Sequence, residues 1–274
     1  MGTRFDLVVA GLPPEEGELL FRDIRQEIER IEGLISIHRS DSLFSFINAH
    51  AHKNRIPLET EMQDLFATIR EMHEQTGGRF DITLAPLGEY LKEHQESQKR
   101  IPDELMEKSG MDKVDLSRGG IRFATKGVCL DPGGFGKGYA VKQILPLIHK
   151  RNVEHALVSF GESLVYALGN HPYGEAWKIV LPGERDHPAE FFLKDEALSV
   201  SGNSLNNRKK FANSGHIIDP LSFRINTKDA LVCVVHEDPL KAEIYSTALF
   251  SGMSADNERP EWAAGLHMVY LEDH

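Results

Sequence analysis

The feature that most constrains this chain is a glycine-rich segment at residues 131–138, Asp-Pro-Gly-Gly-Phe-Gly-Lys-Gly. It follows a short apolar run at 128–130 and precedes a helical pattern at 139–149. Glycines let a backbone turn tightly and approach a ligand closely, and the amide groups before a helix attract anions. The pattern predicts a strand, a tight loop and a helix in that order. It leaves two interpretations open: an anion-binding loop, or a turn with only a structural role.

The glycine-rich segment matches neither of the common phosphate-binding templates. A dinucleotide-binding fingerprint that starts at Gly134 needs a glycine where this chain has Tyr139. A P-loop that ends at Lys137 needs glycine at position 131 and a hydroxyl residue at 138, but these positions are Asp131 and Gly138. Any phosphate bound here is therefore held by a loop of another type.

The rest of the chain mixes strand-like and helix-like patterns without a strict strand–helix–strand alternation, which favours an α+β fold over a doubly wound sheet. Further strands are predicted at 5–9, 156–158, 163–168, 177–181 and 230–235. Helices are predicted at 20–31, closed by Gly33, at 58–72, closed by Gly77 and Gly78, and after Asp238 as N-cap with Pro239 in the first turn. The length of 274 residues allows one elaborate domain or two closely joined ones.

The composition is that of a folded protein with an acidic surface. The chain has 42 acidic and 31 basic residues and a net charge of −11, which argues against nucleic acid as a partner. Its two cysteines, Cys129 and Cys233, lie in apolar runs, which predicts buried free thiols rather than a zinc or redox site. No segment has the ~20 apolar residues of a membrane span. Without a signal-like N-terminus the chain as written is expected in the cytoplasm, or in the periplasm if a leader has been removed.

A second candidate site is a set of oxygen ligands on one predicted helix. Glu243, Ser246 and Thr247 stand at i, i+3 and i+4 and share a helix face. One carboxylate and two hydroxyls suit a hard ion such as Mg²⁺, which commonly keeps phosphate and water among its ligands. The alternative is an ordinary solvent-exposed helix face, on which Glu and Ser are common.

Two further motifs are open to both structural and functional interpretations. His216 and Asp219 flank an apolar pair, but at this spacing an extended chain directs them to opposite sides. Arg79, Phe80 and Asp81 follow the Gly-Gly pair, where the structural alternative is a helix stop followed by a new strand.

Taken in order, the motifs of this chain resemble those of the ApbE family of FAD:protein FMN transferases, from Met1 to about Gly252. The matching segments are Met1-Gly2-Thr3, Arg39-x-Asp41-Ser42, Gly78-x-Phe80-Asp81 with Pro86-Leu87, Asp131-x-Gly133-Gly134-x-x-Lys137-Gly138-Tyr139-Ala140, Ser201-Gly202, His216-Ile217-Ile218-Asp219-Pro220 and Ser246-Thr247-Ala248-Leu249-Phe250. Seven matches in the same order are far more specific than any one of them.

The resemblance implies one α+β, T-fold-like domain over residues 1–274, with FAD and Mg²⁺ bound in a cleft. It also implies transfer of the FMN half of FAD to a Thr or Ser hydroxyl of a redox protein, within an Asp-Gly-x-Thr-like segment, with release of AMP. The alternatives are an Mg²⁺-dependent FAD pyrophosphatase that yields FMN and AMP, and a non-catalytic FAD-binding protein.

The resemblance assigns roles to particular residues. The FAD-binding residues it implies are Ile35, Arg79, Phe80, Asp81, Asp131, Lys137 and His216. The carbonyl of Gly134, the side chain of Glu243, and Ser246 or Thr247 are expected to hold Mg²⁺. His216, Asp81 or a metal-bound group is expected to accept the proton of the attacking hydroxyl, and the sequence does not choose among them.

The chain departs from the family pattern at two of these positions. Where the family usually has Asp, this chain has Glu243, whose longer side chain is expected to shift the ion or weaken its binding. The family's Gly-Gly-Asp or Gly-Gly-Asn after the central strand is here Gly161-Glu162-Ser163. The export or lipoprotein leader usual in the family is also missing from this sequence.

Overall fold

The computed structural model of the chain describes residues 2–94, 101–181, 188–203, 217–253 and 259–272. The strands are β1 (Phe5–Ala10), β2 (Ile56–Pro57), β3 (Val114–Asp115), β4 (Gly120–Phe123), β5 (His155–Phe160), β6 (Leu164–Leu168), β7 (Trp177–Leu181), β8 (Ala189–Leu193), β9 (Glu196–Gly202), β10 (Ile218–Asp219), β11 (Arg224–Ile225), β12 (Ala230–His236) and β13 (His267–Glu272).

The helices are α1 (Pro14–Ile35), α2 (Leu43–His50), α3 (Thr60–Gln75), α4 (Ala85–His94), α5 (Asp103–Met106), α6 (Gly136–Lys150) and α7 (Pro239–Ser251). Single 3₁₀ turns lie at Met111–Lys113 and Glu261–Ala263. No helix in the described ranges is long and apolar enough to cross a membrane.

A six-stranded antiparallel sheet with the order β1-β5-β6-β9-β12-β13 forms the centre of the fold. Side chains alternate between its two faces, as β12 illustrates. Val232 and Val234 pack with Phe250 of α7, whereas Cys233 and Val235 pack with Trp177 under the β7–β8 hairpin. The sheet is therefore covered by helices on one face and by a hairpin on the other, and the α+β prediction is confirmed.

Two helices cover the helical face of the sheet and carry most of the site. Helix α6 packs against β5, β6 and α7, and α7 packs against β9 and β12. The predicted N-cap of α7 is confirmed, because the Asp238 carboxylate accepts hydrogen bonds from the amides of Leu240 (2.9 Å) and Lys241 (3.4 Å). Helix α1 lies outside α6 and buries its apolar face. The start of α6 and the middle of α7 are thus held side by side.

Several local predictions are wrong, each for a tertiary reason. The run at 128–130 is not a strand, because the amide and carbonyl of Leu130 bond the side chain of Asn48 (2.8 and 3.1 Å) instead of a neighbouring strand. Gly33 does not end α1, which continues to the fully buried Ile35. No strand follows Asp81, where a loop leads into α4. The helix stop at Gly77 is confirmed by its left-handed backbone, with a φ of 59°.

The two cysteines are both free thiols. Cys233 is fully buried as predicted, but Cys129 is half-buried. Burial raises the pKa of the Cys233 thiol to about 12 and that of the Cys129 thiol to about 11. Both therefore stay protonated at neutral pH, which fits a packing role better than a reactive one.

Candidate functional site

A cleft of about 810 Å³ opens beside the start of α6 and one side of α7. A second cavity of about 770 Å³ adjoins it. Both cavities are lined by Asp131, Gly133 and Lys137, so the glycine-rich segment forms their junction. Pockets of a few hundred to a thousand Å³ are typical of small-molecule and cofactor sites. The cleft is therefore the candidate site.

The glycine-rich segment is a tight turn held by its own side chain and backbone. The Asp131 carboxylate accepts a hydrogen bond from the amide of Gly133 (2.8 Å). The carbonyl of Pro132 then accepts hydrogen bonds from the amides of Phe135 (3.1 Å) and Gly136 (2.8 Å). The turn leads directly into α6 and also lines the cleft. Its internal hydrogen bonds are those of a structural turn. Its position on the cleft wall is also that of a ligand-binding loop, so the two interpretations are compatible.

Gly138 allows α6 and α7 to touch. A Cβ atom at this position would lie 2.8 Å from the Cα of Leu240, and closer still to the carbonyl oxygen of Pro239. Both of these atoms are backbone, so neither can move away without shifting α7. The last glycine of the segment is therefore required for helix packing.

This close approach brings the backbone of α6 within reach of Glu243 on α7. Glu243 is only 3% exposed. One of its carboxylate oxygens accepts a hydrogen bond from the amide of Gly138 (2.6 Å), and the other pairs with the ammonium of Lys137. The carboxylate thus satisfies an amide in the first turn of α6, which has no side-chain cap of its own. The predicted metal carboxylate is not on a solvent-exposed face.

Ser246 is fully buried, and its hydroxyl faces the sheet. It donates to the carbonyl of Glu243 (3.0 Å) and lies 2.9 Å from the hydroxyls of both Ser199 and Ser201 on β9. These contacts hold the Ser246 hydroxyl in a buried hydrogen-bond network between α7 and β9. Ser246 does not line the cleft.

Thr247, one residue further along α7, does line the cleft. Its hydroxyl lies 3.4 Å from that of Ser201. A hydroxyl oxygen has two lone pairs, and the position of Thr247 on the cleft makes its oxygen accessible to a ligand. A Cβ atom at Gly134 would lie 3.1 Å from the Thr247 methyl carbon and 3.3 Å from the Phe80 ring. Gly134, Thr247 and Glu243 therefore lie close together on one wall of the cleft.

Asp81 lines the cleft, but its oxygens are occupied by the loop around it. One carboxylate oxygen accepts from the amide (2.7 Å) and hydroxyl (2.6 Å) of Thr83, and the other accepts from the amide of Met111 (3.2 Å). The Thr83 hydroxyl in turn accepts from the amide of Gly110 (2.6 Å). Asp81 therefore organises two loops at the cleft.

Arg79 ties the same loop to the β10–β11 hairpin. Its guanidinium pairs with Asp219 at 2.6 Å, and its backbone carbonyl accepts from the hydroxyl of Ser251 (2.9 Å). Asp219 also accepts from the amide of Leu221 (3.0 Å) and the hydroxyl of Ser222 (2.7 Å). This wall of the cleft is thus held by partly buried polar side chains.

The other predicted residues are placed as follows. Phe80 is 2% exposed and lies under Gly134. Ile35 is fully buried at the end of α1 and borders the second cavity. His216 lies outside the described residues. In the described part of the chain, no group of three or more His, Cys, Asp or Glu side chains is arranged to hold a metal ion.

The structure also places residues at the cleft to which the sequence had assigned no role. Ser199 and Ser201 orient the hydroxyls of α7, and their positions on one face of β9 are a period-two signal that sequence could have supplied once that strand was identified. Glu162 lies in the three-residue turn between β5 and β6, with a φ of 60°. Nothing in the local sequence indicated that conformation.

Comparison with known proteins decides the family. The model of the ApbE family matches residues 1–266. This chain belongs to the ApbE family. It is 24% identical over 265 residues to the FAD:protein FMN transferase of Salmonella typhimurium, covering 91% of this chain and 75% of that protein. It is 25% identical over 292 residues to the FAD:protein FMN transferase of Chlamydia pneumoniae, covering 99% and 89% respectively.

Solved structures of other ApbE proteins have the same fold. The flavin transferase ApbE from Vibrio cholerae superposes with a TM-score of 0.82 at 19% identity, over 98% of this chain and 89% of that one. The apo form of the Pseudomonas stutzeri flavinyl transferase ApbE gives 0.82 at 22% identity, over 98% and 87%. At these identities the similarity establishes the fold of this ApbE protein. Its chemistry has to be inferred from the residues of the site.

Proposed function

We propose that this ApbE protein transfers the FMN half of FAD, with the help of Mg²⁺, to a Thr or Ser hydroxyl of a redox protein, with release of AMP. The observation that carries the proposal is the junction of the two cavities, where the glycine-rich turn and Lys137 meet Glu243 and Thr247 of α7. Relatives across the family that are named FAD:protein FMN transferase support the same activity.

The shape and charge of the site suit FAD better than a mononucleotide. FAD has two large aromatic ends joined by a diphosphate. Two adjoining cavities with a shared lining offer a place for each end, and the shared lining contains the ammonium of Lys137 at the point where the diphosphate would lie. We therefore expect tighter binding of FAD than of FMN in a titration with Mg²⁺ present.

The residues at the junction fit Mg²⁺ as a ligand set. The Glu243 carboxylate, the Thr247 hydroxyl and the Gly134 carbonyl would hold it, and all three are hard oxygen donors. Thr247 is favoured over Ser246, because Thr247 lines the cleft whereas Ser246 is fully buried against Ser199 and Ser201 of β9. With a single carboxylate the site leaves room for water and phosphate oxygens, as Mg²⁺ sites commonly do.

The reaction is a displacement at phosphorus. The acceptor hydroxyl oxygen forms a bond to the phosphorus of the FMN half, and the bond from that phosphorus to the bridging oxygen breaks, so that AMP leaves. Bound Mg²⁺ would neutralise charge that develops on the diphosphate oxygens. Lys137 and the turn at Gly133 would position the phosphates. Because the Asp81 carboxylate accepts three hydrogen bonds from its own loops, we assign it to positioning and keep His216 as the predicted base.

The test is an incubation of the protein with FAD, Mg²⁺ and a peptide that contains an Asp-Gly-x-Thr segment, followed by mass measurement. Addition of the mass of FMN to the peptide, less water, supports the transferase. Free FMN and AMP with an unmodified peptide would instead identify an FAD pyrophosphatase, and intact FAD would identify a passive binder.

The metal requirement is tested in the same assay. We expect chelation to abolish turnover and Mg²⁺ or Mn²⁺ to restore it, with soft metal ions much less effective, because the donor set contains only oxygen. Full activity after exhaustive chelation would remove Mg²⁺ from the proposal.

A further inference from the structure

The starting point is that Glu243 is a buried carboxylate with two different partners. Its exposure is 3%, and both oxygens are engaged, one by the Gly138 amide and one by the Lys137 ammonium. An ionised carboxylate that is buried without a countercharge is strongly unfavourable. A neighbouring cation, such as Lys137 or a metal ion, therefore stabilises the carboxylate of Glu243.

The two partners differ in their freedom to leave. The Gly138 amide belongs to the backbone of α6, which is fixed against α7 by close contact with Leu240. Lys137 reaches Glu243 through a flexible side chain that is 24% exposed and borders both cavities. Only the lysine can be displaced without repacking the two helices.

We propose that Lys137 occupies the place of the metal ion at Glu243 in the free protein, and that the ion and Lys137 exchange there. When the ion binds Glu243 and Thr247, the displaced ammonium of Lys137 moves to the junction of the cavities. There the phosphates of FAD accept its hydrogen bonds. This inference rests on the proposed function, because it takes the metal and the diphosphate from it.

The exchange makes the binding of the ion and of FAD cooperative. Without FAD, the ion must displace Lys137 from Glu243 into a cleft that holds no phosphate to pair with it. With FAD present, the diphosphate provides that partner, so each ligand assists the other. The single carboxylate of Glu243 reaches both Lys137 and the Gly138 amide across the two helices.

The experiment measures Mn²⁺ binding by electron paramagnetic resonance, with the full chain, in the absence and presence of FAD. In the wild type, FAD should tighten Mn²⁺ binding by about 5- to 150-fold, the usual range of coupling between two sites. Lys137→Met removes the competing charge, so Mn²⁺ alone should bind more tightly, and the further tightening by FAD should be smaller than in the wild type. Lys137→Arg keeps a cation and should leave the Mn²⁺ affinity without FAD near or below that of the wild type.

A matched control lies on the same helix. Lys142 also pairs with an acidic residue of the α7 region, Asp238, at 2.6 Å, but it does not line the cleft. Lys142→Met should leave Mn²⁺ affinity and its coupling to FAD unchanged. Equal Mn²⁺ affinity for Lys137→Met and the wild type would overturn the exchange.

A second measurement needs no variant, in case Lys137→Met folds poorly. Brief acetylation of the wild-type protein, read by mass spectrometry, reports how accessible each lysine is. Adding Mg²⁺ alone should raise the modification of Lys137 severalfold and leave Lys142 unchanged, and adding FAD with Mg²⁺ should lower it again. No response of Lys137 to Mg²⁺ would contradict the exchange.

The outcomes also separate this inference from the proposed function. If Glu243→Gln abolishes Mn²⁺ binding while Lys137→Met leaves it unchanged, the metal site stands and only the exchange is wrong. If the wild type binds no Mn²⁺ with or without FAD, the metal part of the proposed function fails, and the exchange fails with it.

Discussion

The two walls of the cleft are built in different ways. The helix wall is lined by Glu243 and Thr247. Behind it, the buried Gly138 and Ser246 help to hold α6, α7 and β9 together through backbone contact and buried hydrogen bonds. On the loop wall, Arg79 and Asp219 join two loops through partly buried polar side chains. Residues of the helix wall thus serve the fold and the candidate chemistry at once. Residues of the loop wall shape the cleft but contribute much less to the stability of the fold.

The largest expected loss of stability comes from Gly138→Ala. The added methyl group would overlap the backbone of Pro239 and Leu240, and α7 would have to move away from α6. We expect the free energy of unfolding, measured with urea, to fall by about 3 kcal/mol.

Gly33→Ala in α1 is the matched control for that substitution. No atom lies within 4 Å of a Cβ built at Gly33, which sits inside a helix. Replacing it should raise the free energy of unfolding by about 0.5 kcal/mol or more, since glycine in a helix interior is unfavourable. Equal effects of the two substitutions would show that α6 and α7 are not in close contact.

The next largest effect is expected for Glu243→Ala. Its removal leaves the Gly138 amide buried without an acceptor and a cavity beside it, which should cost about 2 kcal/mol of unfolding free energy. It should also abolish Mg²⁺-dependent transfer. Glu243→Asp keeps a carboxylate on a side chain one methylene shorter and should retain transfer, with a changed Mg²⁺ requirement.

Two measurements check the Glu243 series: urea unfolding, and a Mg²⁺ titration of FMN transfer at fixed FAD. A Glu243→Ala protein with wild-type Mg²⁺ dependence would remove this residue from the metal site. If the free energy of unfolding were also unchanged, the buried contacts of the helix wall would contribute no more to the stability of the fold than the polar contacts of the loop wall.

On the loop wall, a double-mutant cycle of Arg79→Met and Asp219→Asn should show a smaller effect. The two side chains are 29% and 17% exposed, so solvent screens their attraction. We expect a coupling free energy of about 1 kcal/mol in urea unfolding. A coupling well above that of Glu243 with its partners would reverse the comparison of the two walls.

The smallest expected effect is at the turn between β5 and β6. Glu162 has a left-handed backbone conformation that glycine adopts without strain, so Glu162→Gly should raise the free energy of unfolding by about 0.5 kcal/mol. Its neighbour Ser163 has a negative φ, and Ser163→Gly should lower the free energy of unfolding by a similar amount. Both are measured by urea unfolding, and the same sign for both would show that Glu162 is unstrained.

Much of the fold follows from local patterns. The alternation at Phe5, Leu7 and Val9 predicts β1, and Asp238 with Pro239 predicts the start of α7. The run at 128–130 fails as a strand because its backbone partners, such as Asn48, come from a distant part of the chain. The edge strand β13 and the serine-bearing β9 were not predicted, although β12 between them was.

By itself the sequence determined the α+β class, the order of motifs that marks an ApbE protein, and the proximity of Glu243 to Thr247, because a helical repeat sets that spacing. Only the tertiary structure decided which of Ser246 and Thr247 faces the cleft, and that Glu243 is buried between an amide and Lys137. These facts depend on how α6, α7 and β9 pack. The partners of a buried polar group come from distant parts of the chain, and no local pattern encodes them.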